Sequence, residues 1–408
     1  MDVSERLEEL RGSGLYRRLR LVGGPQGPRV LLDGREVLLL CSNDYLGLAN
    51  HPKVRRAAGA TAMRWGAGAG ASRLVSGNMG PHRRLEERLA AFKRTEAALL
   101  FGSGYLANTG TIASLAGQGD VVFSDELNHA SIIDGCRLAR ADTFVYRHRD
   151  LEHLSWGLSR SAGRAALIVT DSVFSMDGDV APIPHLVRLA RRYKCRLMVD
   201  EAHATGTVGP GGRGAVAAAG LSGEVDVIIG TLGKALGSYG AYVCGSRETV
   251  ELLVNTARPF IFSTALPPPS VGAAAAALEL LESRPDRVER LRRNAVVLRS
   301  ALAAAGLDTG GSRTQILPIV IGDAARATAL CERALERGLF AQAIRPPTVP
   351  NGTSRLRLTV MATHREAELR RAARTIAVAA GELGLLGRAP RSAHAQAASW
   401  RRAGAASS

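Results

Sequence analysis

Residues 226–237 read DVIIGTLGKALG, an apolar run that opens into a loop carrying three glycines and one lysine. Val227, Ile228 and Ile229 have the length and branching of a buried strand, while Gly230, Gly233 and Gly237 mark a tight loop at its carboxyl end. Lys234 stands in that loop. The chain holds 53 lysines and arginines, but only Lys53, Lys93, Lys194 and Lys234 are lysines. A chain that uses arginine almost everywhere has used lysine here, so the position needs something a guanidinium cannot supply.

The same alternation extends in both directions. Strand-length apolar runs at Ala97–Phe101, Val121–Phe123, Thr143–Tyr146, Ala165–Thr170, Arg196–Asp200, Val225–Ile229 and Ala241–Cys244 are separated by helical patterns such as Pro81–Phe92 and His185–Tyr193. That order predicts an α/β fold with a mostly parallel, seven-stranded sheet covered by helices. From Pro285 the texture changes. A helical repeat runs from Val288 to Leu302, then a strand near Ile316–Ile321, a helix over Ala324–Arg337, an extended segment Arg355–Thr359 and a last helix over Arg365–Ala380, which reads as a smaller α+β domain. The expected division is an N-terminal arm (1–45), a large domain (46–284), a small C-terminal domain (285–385) and a disordered tail (386–408) rich in alanine, serine and arginine.

At 408 residues and 46% hydrophobic content the chain can bury a large core. Its net charge of +16 raises nucleic acid as a partner, but the arginines are dispersed and aromatics are only 4%, so no nucleic acid is expected. No membrane span is expected either: the uncharged stretch 259–278 is broken by Pro267, Pro268 and Pro269. The charged opening MDVSERLEELRG is unlike a signal peptide, and five scattered cysteines form neither a disulfide framework nor a thiolate metal site. A cytoplasmic location is expected.

Ligands of parallel sheets bind at the carboxyl ends of strands, where this sequence is polar. GSGYLANTG follows Ala97–Phe101 and could bring backbone amides to a phosphate at a helix start. Its GSGYLA part also matches a dinucleotide fingerprint, with Asp125 near the place of a ribose-binding acid, so the motif by itself leaves both open. Asp200 ends an apolar strand and is expected to face a positive group. His203 follows in VDEAHATG, and His129 lies in DELNHAS. A phosphate cradle, an acid, a histidine and a lysine on one sheet edge are what pyridoxal phosphate requires. Its aldehyde needs a primary amine for a Schiff base, which explains the lysine; a nicotinamide site would explain only the glycines.

These segments resemble the α-oxoamine synthase family of fold-type I pyridoxal-phosphate enzymes, through SNDYLGL (42–48), GAGASRLVSG (68–77), FGSGYLAN (101–108), NHAS (128–131), FSMDGDVAPI (174–183), VDEAHATG (199–206), GTLGKALG (230–237), FSTALPP (262–268) and RPPTVPNGTSRLRLT (345–359). The resemblance implies the fold-type I transferase architecture and makes Lys234 the Schiff-base lysine and Asp200 the partner of the pyridine nitrogen. His203 becomes a contact to the ring oxygen and His129 the stacking residue. Gly104, Tyr105, Ser175 and Thr231 become cofactor contacts, and Thr264 the residue that reaches the phosphate in a neighbouring subunit of a homodimer. Asn43 and Arg357 would hold the amino-acid carboxylate. Within the family, Arg345, Pro346, Pro347 and Thr348 resemble the member that joins L-alanine to a pimeloyl thioester, carried by CoA or acyl-carrier protein. Thr348 and Arg17, which has Arg18 beside it, fall at that member's substrate contacts; the alternative is a glycine-using relative.

Overall fold

A computed structural model describes residues 2–161 and 163–386. In chain order the elements begin with α1 (Val3–Gly12), β1 (Arg29–Leu32), β2 (Arg35–Leu39), α2 (Pro52–Trp65), α3 (Gly80–Lys93), β3 (Ala97–Phe101), α4 (Gly104–Leu115), β4 (Val121–Asp125), α5 (Ala130–Ala139), β5 (Asp142–Tyr146) and α6 (Leu151–Arg160). They continue with β6 (Ala166–Asp171), α7 (Ile183–Tyr193), β7 (Arg196–Asp200), α8 (Ala215–Ala218), β8 (Val227–Thr231), β9 (Ala241–Gly245), α9 (Arg247–Thr256), α10 (Arg258–Ile261) and α11 (Pro268–Ser283). The last are α12 (Asp286–Ala304), β10 (Ile316–Gly322), α13 (Ala324–Glu336), β11 (Leu339–Phe340), β12 (Gln342–Ile344), β13 (Ser354–Thr359) and α14 (Glu366–Glu382). The tail expected from 386 onward lies, beyond Leu386, outside the described residues.

The chain divides into two compact units. One comprises Asn43–Ser175 and Asp179–Arg290; the other comprises the described residues of Met1–Ser42, Met176–Gly178 and Leu291–Ser408. The first unit holds the seven-stranded sheet, in the order β3-β9-β8-β7-β6-β4-β5. β8, β7, β6, β4 and β5 pair in parallel, and only β9 runs against its neighbours. Central strands are apolar on both faces because helices cover both: Leu167, Val169, Met198, Val227, Ile229 and Val243 join one core with Ile112 and Ile132. α7 buries Ile183, Leu186, Val187 and Ala190 and leaves its arginines to solvent.

Because β3, β4, β6, β7 and β8 all point the same way, their carboxyl ends open on one edge. Three loops there interlock through glycine. Gly237 has φ +57°, and a Cβ on it would lie 2.3 Å from the Ala49 amide nitrogen; one on Gly206 (φ +79°) would lie 2.6 Å from Ala235 Cβ. No other residue lets GTLGKALG close on SNDYLGLA and VDEAHATG without displacement.

In the second unit, β1 and β2 form a hairpin turned at Asp33 and Gly34, both left-handed, which suits the strand twist. β11 adds in parallel to β2, and β10, β13 and β12 form an antiparallel sheet. Met176–Gly178 belongs with this unit. The Gly178 carbonyl accepts from Thr314 Oγ1 at 3.0 Å, and Arg355 pairs with Asp177.

Candidate active site

Ten of the thirteen site residues marked by the sequence lie in the first unit: Asn43, Gly104, Tyr105, His129, Ser175, Asp200, His203, Thr231, Lys234 and Thr264. Lys234 sits in the loop after β8, half-buried, with Nζ 2.9 Å from His203 Nε2. His203 is buried; its Nδ1 lies 2.7 Å from the Tyr45 hydroxyl, which donates to Asn43 Oδ1 at 3.1 Å. Thr231 ends β8 and closes the lysine loop, donating through Oγ1 to the Gly240 carbonyl and accepting from Gly233 N.

Asp200 ends β7 and is buried. Among the described residues no lysine, arginine or histidine nitrogen comes within 4 Å: Oδ1 accepts from the Ala202 amide at 2.7 Å and Oδ2 from Asn108 Nδ2 at 2.7 Å. Dipoles of a backbone amide and a carboxamide hold the carboxylate in place. Asn108 Nδ2 also donates to Ser131 Oγ at 2.9 Å, and Ser131 Oγ meets His129 Nδ1 at 2.7 Å. One carboxamide thus ties the acid, through Ser131, to His129, the exposed N-cap residue of α5. Asp171, register partner of Asp200, accepts from the His129 amide; burial, with Asp200 alongside, pushes its carboxyl well above the usual range.

Gly104 and Tyr105 begin α4. Ser103 Oγ accepts the Leu106 amide, a Cβ on Gly104 would meet nothing within 4 Å, and the Gly104 and Tyr105 amides lie in the first turn, whose N–H groups have no intrahelical acceptor. The Tyr105 hydroxyl reaches out to Asp134. Ser175 is half-buried, at the end of the first unit's first segment. Thr264 is exposed, in a stretch bridged to Ser72. Arg17, Thr348 and Arg357 belong to the second unit: Arg17 and Thr348 are exposed, and Arg357 is buried on β13.

Asp125 is not available to a ribose. Its buried carboxylate accepts from His148 Nδ1 at 2.8 Å and from the amides of Leu127 and Arg149, each at 2.9 Å. His148 Nε2 donates to Asp179 at 2.8 Å, so both ring nitrogens face carboxylates. Burial opposes its charge, but the two carboxylates outweigh that and raise the imidazole to about 9. A folded value above the ordinary 6.5 means that this stabilisation is fully present below pH 6.5 and is lost as pH rises through about 9. It is worth roughly 3 kcal/mol. The melting temperature of the wild type is therefore expected to fall more steeply between pH 7 and 10 than that of His148→Asn; parallel curves would show that His148 is neutral in the fold.

Sequence reading missed Tyr45, Asn108, His148 and the pair behind the acid, Lys93 and Glu201. Lys93 is fully buried: Nζ donates to Glu201 Oε2 at 2.6 Å, Thr205 Oγ1 at 2.8 Å and the Arg213 carbonyl at 2.6 Å, using all three protons. Burial works against the ammonium, yet the Glu201 carboxylate more than offsets it and raises the group above its ordinary value. Glu201 Oε1 in turn accepts the Val216 amide. Lysine scarcity pointed to Lys93 as strongly as to Lys234.

With this geometry established, the chain belongs to the aminotransferase class I and II family, whose model matches residues 35–376, and within it to the α-oxoamine synthases. It is 56% identical over 389 residues to the 8-amino-7-oxononanoate synthase of Geobacter sulfurreducens, covering 94% of this chain and 99% of that one. To the 8-amino-7-oxononanoate synthase of Thermoanaerobacter pseudethanolicus it is 47% identical, over 90% and 93%. Among solved structures it is similar to serine palmitoyltransferase from S. paucimobilis with a bound PLP–myriocin aldimine (TM-score 0.90, 32% identity, 94% and 98% covered). It is also similar to 8-amino-7-oxononanoate synthase from Francisella tularensis (TM-score 0.74, 28%, 85% and 98%).

Proposed function

We propose that this pyridoxal-phosphate-dependent acyltransferase condenses L-alanine with a pimeloyl thioester, releasing carbon dioxide and the thiol and forming 8-amino-7-oxononanoate for biotin biosynthesis. The observation that carries the reading is one sheet edge bearing a half-buried amine (Lys234), a buried carboxylate with no cationic side chain within 4 Å among the described residues (Asp200) and the first-turn amides of a helix (Gly104, Tyr105). Those three fit, in turn, an aldehyde, a protonated ring nitrogen and a phosphate. Identity of about half over nearly the whole length to 8-amino-7-oxononanoate synthases supports the choice of reaction.

When bound, pyridoxal phosphate supplies an aldehyde that takes up amines and a ring that draws electrons from the substrate α-carbon. The chain's residues do the rest. Lys234 would hold the cofactor aldehyde, and its amine would take the alanine Cα proton. Asp200 would keep a proton on the ring nitrogen, with Asn108 and the Ala202 amide holding the carboxylate in place. His203 would bond the ring oxygen, and His129 would stack on the ring. Ser175 and Thr231 line the cofactor. Asn43 and Arg357 orient the alanine carboxylate until it leaves. Thr348 and Arg17 receive the acyl substrate, and Thr264 serves the phosphate of the partner in a homodimer. Five free cysteines favour a reducing, cytoplasmic setting.

The test offers purified protein pimeloyl-CoA or pimeloyl-acyl-carrier protein with alanine, glycine or serine. Alanine is expected to give an eight-amino, seven-oxo C9 acid at a kcat/KM at least about ten-fold above the other two. A preference for glycine would assign the chain to another branch of the family.

A further inference from the structure

We infer that the Tyr45 hydroxyl is a positioning group that fixes the proton of His203 on Nδ1 and the orientation of the Asn43 amide, a role that rests on the reading of Lys234 and His203 above. A phenol has one proton to give. Asn43 Oδ1, 3.1 Å away, is an acceptor only, so that proton goes to Asn43. The phenol oxygen then accepts from His203 Nδ1 at 2.7 Å, which requires Nδ1–H. In the neutral ring Nε2 is left as a lone pair, and it faces the Lys234 amine at 2.9 Å. All three bonds run in one direction, from Lys234 through His203 and Tyr45 to Asn43. The same bond settles Asn43: its carbonyl end turns to Tyr45, so the amide N–H₂ end points the other way, as recognition of a carboxylate needs.

Tyr45 can impose this because it cannot move. Its side chain is fully buried, its ring is tilted 51° against His203, and its own loop is closed by Asp44, which accepts the Leu48 amide at 2.8 Å and the Ala49 amide at 3.3 Å. Gly237 brings the Lys234 loop against the same Leu48 and Ala49 backbone. The hydroxyl is therefore held at a fixed point relative to the lysine, and the histidine between them follows.

The test is Tyr45→Phe in the full chain, which keeps the ring and its packing. Nitrogen NMR of histidine-labelled, cofactor-free protein, with His203 assigned through His203→Gln, is expected to show Nδ1 protonated in the wild type and the tautomers mixed or reversed in the variant. In the loaded enzyme kcat/KM for alanine is expected to fall about ten-fold, with KM for the thioester unchanged and the melting temperature close to wild type. An unchanged His203 tautomer overturns the inference whatever the activity does, and so does an equal loss towards both substrates. Loss of the Lys234 adduct in wild type would instead count against the functional reading, which the tautomer measurement does not test.

Discussion

Lys234→Ala is expected to abolish turnover, lowering kcat by at least about 10²–10⁴-fold, because on the proposed function the substitution removes both the group that holds the cofactor and the base for the alanine Cα proton. The amine is half-buried beside His203 in the loop after β8, outside the sheet core, so the variant should fold normally. Borohydride reduction followed by peptide mass spectrometry checks the assignment directly. A pyridoxyl group should appear on the 230–237 segment of the wild type and on no peptide of the variant. Near-normal turnover, or an adduct on Lys53 or Lys194, would refute the role.

Lys93→Ala should leave the chemistry groups untouched yet cost about 3–5 kcal/mol of stability, since it strands the Glu201 carboxylate without its counter-charge. Both side chains are about 1% exposed, so water cannot replace the lost ammonium. The effect reaches the site through Glu201, which lies between Asp200 and Ala202, and through Thr205, which bonds Lys93 and the Tyr242 hydroxyl. Urea midpoints measure the loss. Lys93→Met combined with Glu201→Gln should recover much of it, because both charges are then gone and the Val216 amide keeps its acceptor. If the double variant is no more stable than the two single losses added together, the pair is not coupled as the geometry indicates.

The strand–helix alternation and the polar residues at strand ends were legible because both are local. Seven apolar runs were marked and seven strands form the sheet, with ends that coincide or differ by at most two residues. Asp125 was excluded as a ribose ligand only by its contacts. The dinucleotide pattern in GSGYLA could not be separated from a phosphate cradle on spacing alone, because it is the same backbone turn in both. The groups that hold Asp200 were illegible for a related reason: dipoles from Asn108 and the Ala202 amide hold the carboxylate, and a carboxamide inside an apolar helix gives no charge signal in a sequence.

By itself the sequence determined the fold class and pointed to a strand edge and to Lys234 for the proposed chemistry, because periodicity and residue type report which face is apolar and which reaction a group can perform. Only the tertiary structure decided that Tyr45 meets His203 across 158 positions, Lys93 meets Glu201 across 108, and Asn108 meets Asp200 across 92. A hydrogen bond is made or lost within a few tenths of an ångström. Distances of that size between remote residues follow from how helices and loops pack, and no local pattern carries them.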